Sequence, residues 1–160
     1  ALVGRNRDRG EAALAHIRDK AGSAKARFFS ADLSVQGEVR QLVRDLLTHY
    51  PRLDVLINNA GAFFHRRQES GDGIEMTWAL NVLGPFLLTR LLLERLAASA
   101  PARVILISSF VQRWGRIHFD DLQGRQRYNR VRAYSQSKLA AVLLSCEFAR
   151  RLGGTGVTVN

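Results

Sequence analysis

Two short apolar runs without polar alternation, Leu53 to Ile57 and Arg103 to Ile107, constrain the fold of this chain more than any other feature. A strand with one wet face alternates apolar and polar residues, so a continuous run predicts a strand buried on both faces. Each run ends in turn-forming residues, Asn58-Asn59-Ala60-Gly61 in one case and Ser108-Ser109 in the other. Helical periods surround them. The first spans about Asp8 to Lys20, with Ala12, Leu14, Ala15 and Ile17 near one face. A second carries Val35, Val39, Leu42, Val43, Leu46 and Leu47, a third runs from about Ile74 to Ala98, and a fourth from about Arg132 to Leu152. Ala1 to Val3, Ala26 to Phe29 and Val157 to Val159 read as further strands. Gly22 is predicted to stop the first helix, Ser34 to cap the second, Pro51 to end it and Gly153-Gly154 to close the last. Strand and helix alternate throughout, and at this spacing each alternation is a crossover between parallel strands. The predicted fold class is α/β, a doubly wound parallel sheet in a single domain over residues 1–160.

Composition narrows the function classes. Cys146 is the only cysteine, which excludes an intrachain disulfide; its apolar neighbours predict a thiol packed on a helix in a reducing, cytoplasmic compartment. The longest apolar candidate for a membrane span, Val82 to Leu93, is broken by Gly84, Pro85 and Arg90. No membrane association is visible in this segment, and an anchor upstream of it lies outside what the sequence shows. His16, His49, His65 and His118 lack metal-site spacing, so no metal is expected. A net charge of +10 raises nucleic acid, an acidic membrane or a phosphorylated ligand as partners. The arginines are scattered, often beside Asp or Glu, without the aromatic interleaving that stacks bases, so solvated helix faces are expected and nucleic acid is not. Trp78 and Trp114 read as lining the core or a substrate cleft, core burial being the commoner use. The two long helices offer apolar surface for a homo-oligomer.

In doubly wound sheets ligands bind at the carboxyl ends of the strands, which selects Arg5, Asp32, Asn58 to Gly61 and Ser109. Tyr134 and Lys138 lie four residues apart near the start of the last helix, so they project from one face, a turn apart. An ammonium beside a phenol favours the phenolate, which makes Tyr134 a candidate acid/base for an alcohol. Ser109, from a neighbouring strand end, could hydrogen-bond the same substrate oxygen. Tyr-x-x-x-Lys is common by spacing alone and is more often a surface pair. Asn81 sits inside the third helix, either as a packed or solvent-facing polar residue or as a functional group. Pro85, four residues on, has no N–H to give the Asn81 carbonyl, which is thereby freed for another partner.

Asn58-Asn59-Ala60-Gly61, Asn81, Ser109 and Tyr134-x-x-x-Lys138, in this order, resemble the short-chain dehydrogenase/reductase family across the whole chain. The resemblance implies a Rossmann-like fold and an NAD(P)-dependent enzyme acting on a small-molecule alcohol or carbonyl. It implies a catalytic tetrad of Asn81, Ser109, Tyr134 and Lys138, with Tyr134 exchanging the proton, Ser109 rather than Ser108 positioning the oxygen, and Lys138 also holding the nicotinamide ribose. Asp32-Leu33 resembles the family's adenine-contacting pair and also reads as a turn before a helix. Asn59, Ala60 and Gly61 read as cofactor-binding, glycine permitting close backbone approach, or as a strand-ending turn. Arg5 follows Gly4 where NAD-preferring members carry an acid, so a 2′-phosphate is expected and NADP(H) is preferred over NAD(H). Structural ion pairing with Asp8 is the competing use of Arg5.

The segment Ile117-His118-Phe119-Asp120-Asp121-Leu122-Gln123-Gly124, with Tyr128-Asn129, resembles the retinol-dehydrogenase-like branch, whose members act on retinoids and other lipophilic alcohols and aldehydes. The other readings are a sugar-nucleotide epimerase or dehydratase of related fold, and a non-catalytic binding or regulatory protein. The chain opens and closes within strands, which predicts a piece of a longer protein. The resemblance then implies a Gly-rich turn before residue 1, substrate-capping helices after residue 160, and a gap in the sheet between the strands ending at Arg5 and Asn58. The isolated piece is expected to be inactive.

Overall fold

The computed structural model describes residues 1–21 and 25–160. Among these residues five parallel strands form two sheets. β1 (Leu2–Gly4) pairs with β2 (Phe28–Ser30), and β3 (Val55–Asn58), β4 (Ala102–Leu106) and β5 (Val157–Val159) pair in that order. The sheet is divided between the β1–β2 pair and the β3–β5 set, in keeping with the expected gap, and the α/β crossovers are as predicted.

Helix α1 (Arg7–Ala21) starts from Asn6, whose Oδ1 accepts from Arg9 N at 2.8 Å. It lies on β2 so closely that a Cβ at Gly10 would overlap the Phe28 ring. The stop expected at Gly22 lies outside the described residues. Helix α2 (Gln36–His49) begins two residues after the expected cap. Ser34 is not the cap, because its N–H and hydroxyl are both spent on Asp32 Oδ1, at 2.9 and 2.7 Å. The free amide at Gln36 is met instead by Asp72, at 2.8 Å from a distant loop.

The third predicted helix is continuous from Met76 but changes register. It comprises α3 (Met76–Trp78), a π segment (Ala79–Leu83) and α4 (Gly84–Ala98). Glu75, in an extended conformation, sets its start by accepting from Thr77 N and Trp78 N, which moves the boundary from Ile74. In the π segment Gly84 N–H reaches Ala79 O, an i→i+5 bond. Helix α5 (Arg130–Arg151) starts two residues earlier than its apolar period indicates, because Asn129 Oδ1 accepts from Val131 N and Arg132 N, both at 3.0 Å.

The core lies on one face of β3–β5. Leu56, Val104 and Leu106 meet Val39, Leu42 and Val43 of α2 and Leu88, Leu92 and Leu96 of α4, with Leu144 and Leu152 of α5 packed against the same cluster. Each fully buried aliphatic side chain there contributes roughly 1.5–3 kcal/mol. Helix Met76–Ala98 is long and apolar enough to cross a membrane, but half of its most apolar stretch is buried inside the protein. The opposite face of β3 is open, with Val55 48% and Ile57 57% exposed. The both-face burial expected of that strand is therefore not reached, in keeping with the divided sheet.

Candidate active site

Lys138 is the centre of the arrangement. It lies on α5 and is 6% exposed, and its Nζ donates to the Ile107 carbonyl at 2.9 Å, just past β4. Burial holds its ammonium below the ordinary lysine range. One turn earlier, Tyr134 presents its ring 5.6 Å from the Lys138 nitrogen. The hydroxyl of Tyr134 meets no hydrogen-bond partner among the described residues. The pair therefore does share a face, with the cation packed on the phenol ring.

Asn81 is neither solvent-facing nor idle. It is 4% exposed, and its side chain exchanges two bonds with one residue of the loop after β3: Ala62 N to Oδ1 at 2.9 Å, and Nδ2 to Ala62 O at 3.0 Å. Nδ2 also donates to Ser137 Oγ at 3.0 Å, and Ser137 in turn donates to the Tyr134 carbonyl at 2.8 Å. Asn81 thus pins the Asn59–Ala60–Gly61 loop to the helix of Tyr134. Gly61 fits between them: a Cβ there would stand 3.3 Å from Asn81 Oδ1 and 3.4 Å from Lys138 Nζ. Its glycine serves a close approach to protein groups. Asn59 and Ala60 are exposed on the same rim, while Asn58 is fixed below it by Nδ2 to Thr89 Oγ1 at 3.0 Å.

The two serines after β4 divide their tasks. Ser108 donates its hydroxyl to the Lys138 carbonyl at 2.7 Å and so holds α5 to the sheet. Ser109 opens a short 3₁₀ helix (Phe110–Trp114) without capping it, and among the described residues its hydroxyl is uncommitted. Gly115 seats that segment on α5, because a Cβ would lie 2.5 Å from Ser135 O and 2.8 Å from Leu139 Cβ. Gly115→Ala is expected to lower stability by about 2 kcal/mol and to reduce turnover by displacing Ser109. Urea unfolding together with steady-state kinetics of the full-length protein checks this; wild-type values for both would contradict it.

The adenosine-side candidates form a second cluster. Arg5 lies after β1 with its side chain 66% exposed, and Nη1 is 3.8 Å from Asp32 Oδ2, a loose pair of little energetic weight. The ionic neighbour is Asp32 rather than Asp8. Asp32 builds the turn before α2 through Ser34, so its structural reading holds whatever else it does. Leu33 seats this cluster on the helix that follows Asn81: a Cβ at Gly84, the first residue of α4, would overlap the Leu33 carbonyl oxygen. An exposed guanidinium at the end of a parallel strand has the chemistry to pair with a phosphate of a dinucleotide.

Some expectations fail locally. Trp114 is 68% exposed, edge-on to Phe110 at 5.4 Å, and is not core. Cys146 is exposed on α5 rather than packed. Pairs such as Arg52–Asp54 and Arg150 and Arg151 with Glu147 put arginines on solvated faces, as expected. Ser137, Gly115 and Phe63 were not visible as site residues. Only the place of Ser137 beside Lys138 could have pointed to it.

A parallel α/β sheet with a Tyr-Lys pair behind a strand-end serine defines a class of dinucleotide-dependent oxidoreductases, and the chain belongs to the short-chain dehydrogenase family, which it matches over residues 1–160. Within it the chain resembles the retinol-dehydrogenase-like branch. It is 50% identical over 129 residues to mouse retinol dehydrogenase 14, covering 81% of this chain and 39% of that protein. It is 43% identical over 157 residues to human retinol dehydrogenase 11, covering 98% and 49%. The chain thus spans about half the length of such relatives, or less. Among solved structures, an uncharacterised protein from Mycobacterium paratuberculosis aligns with a TM-score of 0.80 at 35% identity, over 97% of this chain and 53% of that one. The Pseudomonas aeruginosa RhlG/NADP active-site complex aligns at 0.74 and 31%, over 99% and 59%.

Proposed function

We propose that the protein carrying this chain transfers a hydride between NADP(H) and a lipophilic alcohol or aldehyde of retinoid-like kind, with Tyr134 as acid/base. The observation that supports it most is the division of hydroxyls: Ser108 and Ser137 are spent on the backbone of α5, while those of Tyr134 and Ser109 stay uncommitted. In the reducing direction Tyr134 gives its proton to the carbonyl oxygen, and in the oxidising direction it takes that proton back. Ser109 donates to the same oxygen and fixes its position. Lys138, cationic beside the ring, is opposite in charge to the oxygen that Tyr134 keeps once its proton is given, and would also hold the nicotinamide ribose. The carbonyl of Asn81 completes the tetrad. A bound nicotinamide supplies the hydride.

Arg5 carries the cofactor preference, with Asp32, Leu33, Asn59, Ala60 and Gly61 along the same rim. An exposed guanidinium can fork onto a 2′-phosphate, a charge-assisted contact absent with NAD(H). Arg5→Ala in the full-length protein is expected to raise the Kd for NADPH about tenfold and to leave NADH much less affected, read by fluorescence titration. Equal weakening of both would remove Arg5 from this role. The substrate class draws support from the retinol dehydrogenases among the relatives and from the partly exposed Phe63 ring beside Tyr134. NADPH consumption against a panel of aldehydes, from short saturated to long conjugated, tests the whole reading; no turnover with any of them would overturn it. The exposed Phe86 and Leu143 on α4 and α5 support a homo-oligomer, and the lone thiol a reducing, cytoplasmic compartment.

A further inference from the structure

The loop after Gly61 holds an aromatic ring where the core does not require one. Phe63 is 39% exposed and belongs to no buried cluster. Its backbone is nonetheless clamped from both sides. Ala62 exchanges its two bonds with the Asn81 side chain, and the Phe64 carbonyl accepts from the Tyr128 hydroxyl at 3.0 Å.

The ring is held as firmly as the backbone. It meets the Tyr134 ring at 5.4 Å between centroids and 75° between planes, an edge-to-face contact. His65 lies edge-on at 5.4 Å, and the Arg130 guanidinium stands 5.9 Å from the Phe63 centroid while Nη1 donates to His65 Nδ1 at 2.7 Å. Two pieces of chain, the loop after β3 and the continuous stretch from Tyr128 through Tyr134 into α5, therefore meet around one partly exposed phenyl ring. Lys138 also packs on the Tyr134 ring, so the phenol is set between an ammonium and an apolar wall. The Phe63 ring is thus an apolar neighbour of the residue that a substrate oxygen would meet.

We infer that Phe63 is a specificity-determining residue, the wall against which a flat, conjugated apolar chain next to the reacting carbon lies. The inference deepens the proposed oxidoreductase reading and rests on it. Its physical basis is selective: a conjugated chain gains stacking and apolar contact along the open part of the ring, whereas a short saturated carbonyl is too small to span it.

The test uses the full-length protein with NADPH, a long polyene aldehyde and butanal. Phe63→Ala is expected to lower the ratio of kcat/KM for polyene over butanal about tenfold, the range open to an apolar pocket contact, chiefly through KM. Phe63→Tyr, which keeps the ring, should restore most of that ratio. A general structural role would lower both substrates together and leave the ratio unchanged, which would overturn the inference, as would an unchanged ratio at full activity. Phe63→Leu is read by the same two outcomes if the alanine variant loses NADPH binding in a fluorescence titration. Failure of the functional reading is distinct, because it appears as no aldehyde turnover by the wild type before any variant is made, and it overturns the inference as well.

Discussion

Tyr134→Phe in the full-length protein is expected to lower kcat about a thousandfold, within the range assigned to a positioned acid/base, with NADPH affinity close to wild type. The substitution is unusually clean in this structure. Phenylalanine keeps the ring on which the Lys138 ammonium packs at 5.6 Å and the edge contact with Phe63 at 5.4 Å. The lost hydroxyl has no hydrogen-bond partner among the described residues, so its removal leaves no protein group unsatisfied. Fold and cofactor rim should therefore persist while proton transfer fails. Single-turnover NADPH absorbance and a binding titration separate the two. Turnover within tenfold of wild type would remove Tyr134 from the acid/base role.

Asn81→Ala is expected to have the largest effect on stability, about 3 kcal/mol, because it strands three hydrogen-bonding partners in a buried site. The Ala62 N–H, the Ala62 carbonyl and the Ser137 hydroxyl all lose the same side chain. Activity should fall with it, since the loop bearing Asn59 to Gly61 is then free to move off Lys138. The main-chain carbonyl is retained in the variant, so the loss reports the side chain's positioning work. Urea unfolding checks the stability, and a change below about 0.5 kcal/mol would show that the loop is anchored elsewhere.

What the sequence revealed and what it hid follow from the range of the interactions. Leu53 to Ile57 and Arg103 to Ile107 announced parallel strands because apolar continuity is a local signal. The functional pair on α5 was legible for a similar reason: four residues on a helix fix a common face. Boundaries set by distant side chains were not legible. Asp72 supplies the first amide of α2 across the fold, and Ser34, the residue that looked like its cap, is occupied by Asp32. Asn129 moved the start of α5, although an Asn at that place is an ordinary capping signal that the apolar period outweighed. Phe63 could not be found by pattern, since its meaning comes from Tyr134, His65 and Arg130 meeting it in space. Ser108 and Ser109 look equivalent in the sequence, and only their partners separate them.

The register change at Ala79–Leu83 bears on what the helix can present to its surroundings. Each residue turns an α-helix by about 100°, and an i→i+5 turn holds one residue more than the regular winding. The stretch before it and the stretch after it therefore keep independent rotational settings on one rod. The π segment itself aims Asn81 at Ala62 and Ser137, and the winding that follows it lays Leu88, Leu92 and Leu96 into the core. Deleting Leu83 would merge the two into one phase, and a regular helix could then satisfy the loop or the core, but not both.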